Sequence, residues 1–253
     1  MLLNKVDISS ISKTRFVLHS IYGDNQSALK NNNAQFTLES MNYPGSTIGS
    51  IYSQSTISAS YSYTCVIIFD NTMKCWGQRG ESPSTGYLGD GQINGNSFTP
   101  TEVLLDDEQG NSSAIETASY GHHSCAVMAD YSLKCWGNDW NGQIGHNVSG
   151  GWHSTPFPTT MPNGLTAIQS AAGLNTSCAI MDDFSLWCWG DNDPQGQVGI
   201  GNTSQGTIAT PQQIILPSNR SAISVSFGQD YGCTILDNGD GMCWGDNQRA
   251  QLG

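Results

Sequence analysis

The sequence predicts an all-β protein, a β-propeller built from about five repeats. Two observations support this fold class. A hairpin pattern occurs four times along the chain, at intervals of 53 to 60 residues, and each interval supplies about four short strands, as expected for a propeller with one sheet per repeat. Charged residues make up only 12% of the chain and glycine accounts for 29 of its 253 residues, which favours many turns and short strands over helices.

Each hairpin consists of a cysteine, nine further residues and then Cys-Trp-Gly. An apolar run, a turn signal rich in Asp or Asn and a second short run separate the two cysteines, which predicts strand, turn and strand. The repeats are marked by Trp76-Gly77, Trp136-Gly137, Trp189-Gly190 and Trp244-Gly245. Because these tryptophans recur in register, we expect them to pack in the core or between blades.

All eight cysteines lie in the hairpins, two in each. A separation of ten residues across a tight turn places the two cysteines opposite each other, with Cβ atoms about 4.5–5.5 Å apart, close enough for a disulfide after modest adjustment. We predict the pairs Cys65–Cys75, Cys125–Cys135, Cys178–Cys188 and Cys233–Cys243. Free buried thiols are the alternative, and zinc is disfavoured because the short ligand spacings it needs are missing. Paired cysteines indicate an oxidising compartment: the cell exterior, the cell surface or the periplasm.

The segments between the hairpins are also repeated. A loop follows each Trp-Gly and closes on Gly-Gln-apolar-Gly or a variant of it, where glycines suit tight turns. Next come Thr-Pro and an apolar run that we predict to begin a strand, as at Val103 and Ile214. A further strand, containing Ile115, Ile168 or Ile223, precedes each of the last three hairpins.

A fifth, degenerate repeat is expected at the start of the chain, where Ile11 and Ile21 replace the cysteines and Tyr22-Gly23 replaces Trp-Gly. Residues 1–253 would then form a single β-propeller domain or a propeller segment. Five hairpins with only four connecting segments leave strand edges open, which predicts a closed five-bladed ring, self-association or a longer parent chain. We favour the longer parent, since the residues after Met1 lack the apolar core of a signal peptide.

The motif is most complete in residues 124–145 and 177–199, which run from a small residue and Cys-Ala to Cys-Trp-Gly and Gly-Gln-apolar-Gly. These repeats resemble those of the regulator of chromosome condensation family, in the secreted-type variant with a cysteine pair before Trp-Gly. The resemblance covers nearly the whole chain. It implies a β-propeller, often seven-bladed, that serves as a binding platform.

The net charge of −12 and the pI near 4.5 disfavour binding to nucleic acid or to anionic lipid. Since no apolar run reaches about 18 residues, we expect no membrane insertion. Nucleotide exchange or chromatin binding, as in the nuclear namesake of the family, is a weaker alternative because of the acidic balance and the cysteines.

Catalytic and metal-binding patterns are weak. No nucleophile-elbow, zinc-protease, Walker A or dinucleotide motif occurs in its required context, so we expect no enzyme activity and no cofactor. We interpret His122, His123, His146 and His153, near Asp130 and Asp139, as structural residues and predict no metal site. His123 in particular aligns with Thr64, Ser177 and Gly232, which indicates a hydrogen-bonding role. Asp191-Asn192-Asp193 and Asp237-Asn238-Gly239-Asp240 offer oxygen atoms to calcium, but turn formation explains them more simply.

Four aromatic residues are the candidate binding residues. Trp140 and Trp152 lie outside the repeat register in a Gly/Asn-rich loop, and Tyr87 lies in the corresponding loop of the preceding repeat. Exposed aromatics on such loops are typical contact residues; packing back onto the propeller is the alternative. Trp187 replaces Lys74 and Lys134, where lysine implies exposure to solvent.

The sequence therefore predicts a non-enzymatic extracellular or surface module whose loops bind a protein or glycan. The alternative is a hydrolase or lyase with its active site on one propeller face. A pocket lined by two acids or by a His–carboxylate pair would favour the enzyme.

Overall fold

The computed structural model describes residues 56–68, 71–80, 85–105, 113–162 and 164–253. These residues contain fifteen β-strands and no helix, and therefore no helix with the length and hydropathy of a membrane span. They belong to a unit that comprises Gln54–Gly253. The degenerate repeat around Ile11, Ile21 and Tyr22 lies outside the described residues, so a single domain over residues 1–253 stays a prediction.

Four antiparallel sheets follow one another along the chain, and the strands of each sheet pair in chain order. Sheet 1 contains β1 (Ile57–Ala59), β2 (Tyr63–Ile67), β3 (Met73–Gln78) and β4 (Asn96–Glu102); sheet 2 contains β5 (Ala114–Tyr120), β6 (His123–Met128), β7 (Leu133–Asn138) and β8 (Trp152–Pro158). Sheet 3 contains β9 (Ala167–Ala172), β10 (Thr176–Met181), β11 (Leu186–Asp191) and β12 (Thr207–Gln213); sheet 4 contains β13 (Ala222–Phe227), β14 (Tyr231–Leu236) and β15 (Gly241–Gly245). Among the described residues, three sheets are four-stranded and one is three-stranded. This all-β arrangement of small blades confirms the predicted fold class.

The four predicted disulfides are present, one in each hairpin. Each cysteine of the second strand lies directly opposite a cysteine of the third, with Cα atoms 4.0–4.1 Å apart. All eight cysteines are used. The polar residues between them close the turns: in the last hairpin, Asn238 Nδ2 donates to Asp240 Oδ2 at 2.6 Å, as the turn interpretation of this segment predicts.

Tryptophans of the Trp-Gly pairs join neighbouring sheets. Trp136 and Trp189 are completely buried. The indole Nε1 of Trp189 donates to the backbone oxygen of Gln143 at 2.8 Å, in the Gly-Gln-apolar-Gly loop of the preceding sheet. Two more bonds of the same kind are Trp136 Nε1 to Tyr87 O, at 3.0 Å, and Trp244 Nε1 to Gln197 O, at 2.9 Å. The inter-blade role predicted for these tryptophans is therefore confirmed.

The predicted start of the strand after Thr-Pro is wrong by several residues. Thr-Pro itself lies inside β4, β8 and β12, and the apolar runs come after these strands. Proline lacks an N–H group, so it is tolerated on an edge strand whose outer side needs no ladder hydrogen bond. Val103 and Ile214 are instead buried just beyond the strand ends, at 3% exposure each. The strands predicted around Ile115, Ile168 and Ile223 are present as β5, β9 and β13.

Candidate binding site on the loop face

One end of each sheet carries the long loops. In an antiparallel meander, the turn between the first and second strands and the loop between the third and fourth strands emerge at the same end. We call this end the loop face; its described residues are 60–62, 79–80, 85–95, 121–122, 139–151, 173–175, 192–206, 228–230 and 246–253. The hairpin turns between the cysteines lie at the opposite end.

The four candidate aromatics differ greatly in exposure. Trp140 lies on the loop face with 61% of its surface exposed, whereas Tyr87 is only 1% exposed. Trp152 and Trp187 are half-buried. Of the four, only Trp140 presents most of its side chain to solvent.

Tyr87 and Trp152 pack together inside the molecule, with ring centroids 6.0 Å apart. The Tyr87 ring also stacks on Tyr63 at 5.8 Å and on His122 at 5.1 Å. Tyr87 is thus part of the core between sheets 1 and 2, and Trp152 lies against that core. Packing back onto the propeller, the alternative that the sequence left open, describes both side chains in this structure.

The expectation that a lysine at the position of Trp187 is exposed to solvent is wrong. Lys134, at the equivalent position, is only 5% exposed, and its Nζ donates to the backbone oxygen of Leu105 at 2.7 Å. A lysine at this position therefore does not imply solvent exposure. Trp187 packs against the core, and its Nε1 donates to Ser185 Oγ at 2.7 Å. It lies towards the end of the sheet opposite the loop face.

The backbone of the Trp140 loop is fixed by hydrogen bonds. The Trp140 amide donates to Asn138 Oδ1 at 2.9 Å. Asp139 donates its amide to Gly151 O at 3.0 Å and accepts from the Gly150 amide at 2.6 Å. The exposed indole is therefore carried by an ordered loop, which lowers the entropy cost of binding a partner.

His123 is a buried structural residue, as predicted, although the alignment behind that prediction is off by one position. It pairs with Gly137 as Tyr63 pairs with Gly77, so its equivalent is Tyr63 and not Thr64. Its Nε2 lies 2.8 Å from Ser177 Oγ. Since that hydroxyl already donates to Gln143 O, Nε2 is the donor. Burial lowers the pKa of His123 to about 3, so the ring is neutral.

Asp139, His146 and His153, which the sequence analysis interpreted as separate structural residues, come together in one cluster. Asp139 Oδ2 lies 3.4 Å from His146 Nδ1 and 3.7 Å from His153 Nε2. The other carboxylate oxygen accepts from the Ile144 amide at 2.9 Å. One nitrogen or oxygen from each side chain lies within 4.8 Å of the other two, which makes this the group in the described part of the chain that could hold a metal ion.

Three carboxylates lie together where sheets 3 and 4 adjoin: Asp230 and Asp246 on the loop face, and Asp191 at the adjacent end of β11. Burial, followed by the charges of Asp246 and Asp191, raises the pKa of Asp230. Burial, followed by the charge of Asp193, also raises the pKa of Asp191, whose carboxylate is bonded by the Asn141 side chain. Asn141, the residue after Trp140, therefore lies beside this group of acids. The group carries a locally concentrated negative charge.

Comparison with known families addresses the repeats directly. Two profiles, each described as the regulator of chromosome condensation (RCC1) repeat, match residues 185–235 and 168–197. These residues include the third hairpin and part of the fourth. Residues 168–235 therefore match the RCC1 repeat.

Two relatives match most of this chain. The probable E3 ubiquitin-protein ligase HERC6 of Homo sapiens is 25% identical over 199 residues, which are 78% of this chain and 19% of HERC6. The ultraviolet-B receptor UVR8 of Arabidopsis thaliana is 26% identical over 197 residues, 78% of this chain and 42% of the receptor. The chain thus spans less than half the length of these relatives.

Solved structures agree on the fold. Human WBSCR16 superposes with a TM-score of 0.64 at 19% identity, over 78% of this chain and 48% of WBSCR16. Yeast RCC1 (Prp20), solved bound to Kap60, superposes with a TM-score of 0.61 at 20% identity, over 79% of this chain and 45% of that chain. At this identity the likeness establishes the RCC1-type β-propeller fold and nothing about function.

Proposed function

We propose that this RCC1-repeat chain is a non-enzymatic binding module that holds a protein partner on its loop face, with Trp140 as the anchor. The observation that carries the proposal is the 61% exposure of Trp140 on a loop whose backbone is fixed. Tryptophan is enriched among the few residues that dominate binding energy at protein interfaces. Most of this indole stays exposed in the folded protein, in contrast to the buried Trp136 and Trp189.

The charge of the loop face favours a basic partner surface. Burial, and after it the charges of Asp246 and Asp191, raises the pKa of Asp230, and the whole chain carries a net charge of −12. A cationic partner would relieve this repulsion and would be attracted over long range. Binding should therefore weaken as ionic strength rises.

A protein partner is favoured over a glycan because yeast RCC1, which shares the fold, was solved bound to the protein Kap60. The four disulfides support a location in an oxidising compartment, outside the cell or on its surface. An enzyme has one observation in its favour, the cluster of Asp139 with His146 and His153. Its carboxylate is fully buried and the two imidazoles are only 15% and 22% exposed, so it offers little access to a substrate.

The experiment compares three immobilised proteins: wild type, Trp140→Ala and a control, Tyr131→Asn. Tyr131 is an exposed aromatic, at 47%, on the hairpin turn of the same sheet at the opposite end. Asparagine suits its positive φ of 64° and occupies the equivalent position in sheet 1 as Asn71, with φ 62°. Proteins are captured from extract of the source cells and identified by mass spectrometry.

We expect a set of basic proteins that wild type and Tyr131→Asn retain and that Trp140→Ala loses, with affinity lowered about thirty-fold, as for a loss of about 2 kcal/mol at a hot spot. The unfolding free energy of Trp140→Ala should stay within about 0.5 kcal/mol of wild type, since the side chain is at the surface. Equal retention by all three proteins, or capture of glycans alone, would contradict the proposal.

A further inference from the structure

We propose that Asp139, His146 and His153 form a binding site for a divalent transition-metal ion such as Zn²⁺, with one coordination position left open. This site is independent of the partner proposed above. It lies under the Trp140 loop, between the end of β7 and the start of β8.

The repeat register shows how unusual this set of residues is. In sheet 3 the corresponding positions hold Asn192, Ile200 and Ile208, as judged from the spacing after Trp-Gly and Gly-Gln-apolar-Gly and from strand pairing. Asn192 satisfies both of its groups: Oδ1 accepts from the Val198 amide, and Nδ2 donates to the backbone oxygen of Asn202. The two isoleucines pack against the core.

Sheet 1 fills the same positions with an ion pair. Arg79 and Asp90 take the places of Asp139 and His146, and Arg79 Nη2 and Nε donate to Asp90 Oδ2 at 2.7 and 2.9 Å. In the neighbouring repeats, the polar groups at the position of Asp139 are thus satisfied by the hydrogen bonds of a side-chain amide or by a salt bridge. Sheet 2 has neither.

The Asp139 cluster leaves buried polar atoms without a hydrogen-bond partner. Asp139 is fully buried, and its Oδ2, together with His146 Nδ1, makes no hydrogen bond. An unpaired buried carboxylate oxygen is costly. Asp139 Oδ2 faces the two imidazole nitrogens at 3.4 and 3.7 Å without forming a hydrogen bond to either. A cation between the three atoms would satisfy all of them.

The distances suit a small metal ion. Ligand atoms at about 2.0–2.1 Å from a tetrahedral Zn²⁺ lie roughly 3.4 Å from one another. The two distances from Asp139 Oδ2, 3.4 and 3.7 Å, are close to this value. Phe157 covers the imidazoles, with ring centroids 4.8 Å from His146 and 4.9 Å from His153. Such an apolar cover strengthens the attraction between the ligands and the ion.

The ligand chemistry selects the class of metal. Two imidazole nitrogens and one carboxylate suit Zn²⁺, Cu²⁺, Ni²⁺ or Fe²⁺, whereas Ca²⁺ and Mg²⁺ prefer oxygen ligands. Three protein ligands leave a fourth tetrahedral position for water. Because Asp139 precedes Trp140 in the chain, a bound ion would add to the hydrogen bonds that already fix the loop carrying the exposed indole.

The test uses the full chain after dialysis against a chelator. Zn²⁺ binding is measured by isothermal titration calorimetry, and Co²⁺ binding by visible absorption, whose intensity reports the coordination number. The key variant is Asp139→Asn/His146→Ile/His153→Ile, which installs the residues of sheet 3. Asp139→Asn alone is a second variant, since Asn192 and Asn247 occupy this position in sheets 3 and 4. Asp130→Asn, in the exposed turn of the same sheet, controls for the change of charge.

We expect wild type and Asp130→Asn to bind one ion with a rise in unfolding temperature. Both cluster variants should lose about a hundredfold or more in affinity, because loss of a direct ligand exceeds the cost of losing a supporting contact. The site does not exist if wild type shows no saturable binding, or if either folded cluster variant binds as tightly as wild type.

Discussion

Glu116 shows how strongly the interior of this protein changes the chemistry of a single residue. It lies on β5 with 1% exposure, and its Oε2 accepts from Ser170 Oγ at 2.6 Å and from the Ser170 amide at 3.1 Å, across the junction of sheets 2 and 3. Burial raises the pKa of Glu116 from 4.5 to about 8, against the opposing effect of the two hydrogen bonds. Near neutral pH the folded protein therefore keeps this carboxyl group protonated.

Glu116→Gln should remove a pH dependence of stability. The folded state holds the Glu116 proton up to about pH 8, while the unfolded chain releases it near pH 4.5. The stability due to this group is therefore fully present below pH 4.5 and is lost as pH rises through 8. Relative to Glu116→Gln, wild type should lose up to about 1.4 kcal/mol of unfolding free energy per pH unit in this window.

Urea denaturation of both proteins at several pH values between 4 and 9 measures this difference. The subtraction also cancels other groups, such as His123, that titrate in both proteins. Glu102→Gln, at an exposed position on β4, is the matched control and should follow wild type. A difference between Glu116→Gln and wild type that does not change with pH would contradict the account.

For single residues, the sequence predicted the roles of those that recur in the repeats but not the roles of those that do not recur. The cysteines and the Trp-Gly tryptophans were assigned correctly because four copies fix their environment. Asp139, His146 and His153 are separated by loop residues whose path no repeat specifies, so their meeting could not be foreseen. The sequence did offer one signal of this cluster: Asp139 stands where the next two repeats have Asn192 and Asn247.

Among the elements, the Gly-Gln-apolar-Gly loops and the tryptophans of the following sheet depend on each other. Gly145 has a φ of 75°, and a Cβ placed there would lie 2.6 Å from Trp189 Nε1 and 2.9 Å from Thr159 Cγ2. Only glycine therefore lets the indole reach Gln143 O. Gly201 has a similar φ of 73° but no atom within 4 Å of its would-be Cβ.

Gly145→Ala and Gly201→Ala separate backbone strain from this contact. Both substitutions should lower the unfolding free energy by about 1–2 kcal/mol, because alanine is strained in the left-handed conformation. Gly145→Ala should lower it by about 1–3 kcal/mol more, because the added methyl group overpacks against Trp189. Chemical denaturation followed by tryptophan fluorescence measures both variants. Equal losses would show that the Trp189 contact does not hold the two sheets together.

Each hairpin disulfide should stabilise the fold through the unfolded state. Closing a ten-residue separation contributes about 2.5–3 kcal/mol in the chain-entropy model. Cys178→Ala/Cys188→Ala should lower the unfolding free energy by about this amount, as measured in denaturant. Peptide mapping without reduction should find only the four pairs within hairpins, and bridges between different hairpins would refute the assignment.

Hairpins were the elements that the sequence predicted best, because the cysteine pair fixes the register as well as the turn. The fourth strand of sheets 1, 2 and 3 was misplaced, since Thr-Pro was interpreted as a break before a strand. On an edge strand, proline needs no ladder partner on its outer side, and β4, β8 and β12 include it. The strand bulges between Cys75 and Gly77 and between Cys188 and Gly190 also carry no simple sequence signal.

The whole described unit behaves as a stack of similar sheets. The first strands β1, β5, β9 and β13 contact one another in chain order, and each later tryptophan bonds to the preceding sheet. In such a stack, stability is approximately a sum of sheet terms and neighbour terms. Most of the residues that recur in every repeat are thereby used for folding, whereas Trp140, the proposed binding residue, lies outside the repeat register.

The central claim, that a protein partner is held on the loop face, is tested most directly by site-specific photo-crosslinking. Benzoylphenylalanine is placed at position 140 or, at the opposite end of sheet 2, at position 131, and the full chain is irradiated in extract of the source cells. The account predicts cross-links to basic proteins from position 140, suppressed at high ionic strength, and few from position 131. Cross-links of equal yield at both positions, or from position 131 alone, would contradict it.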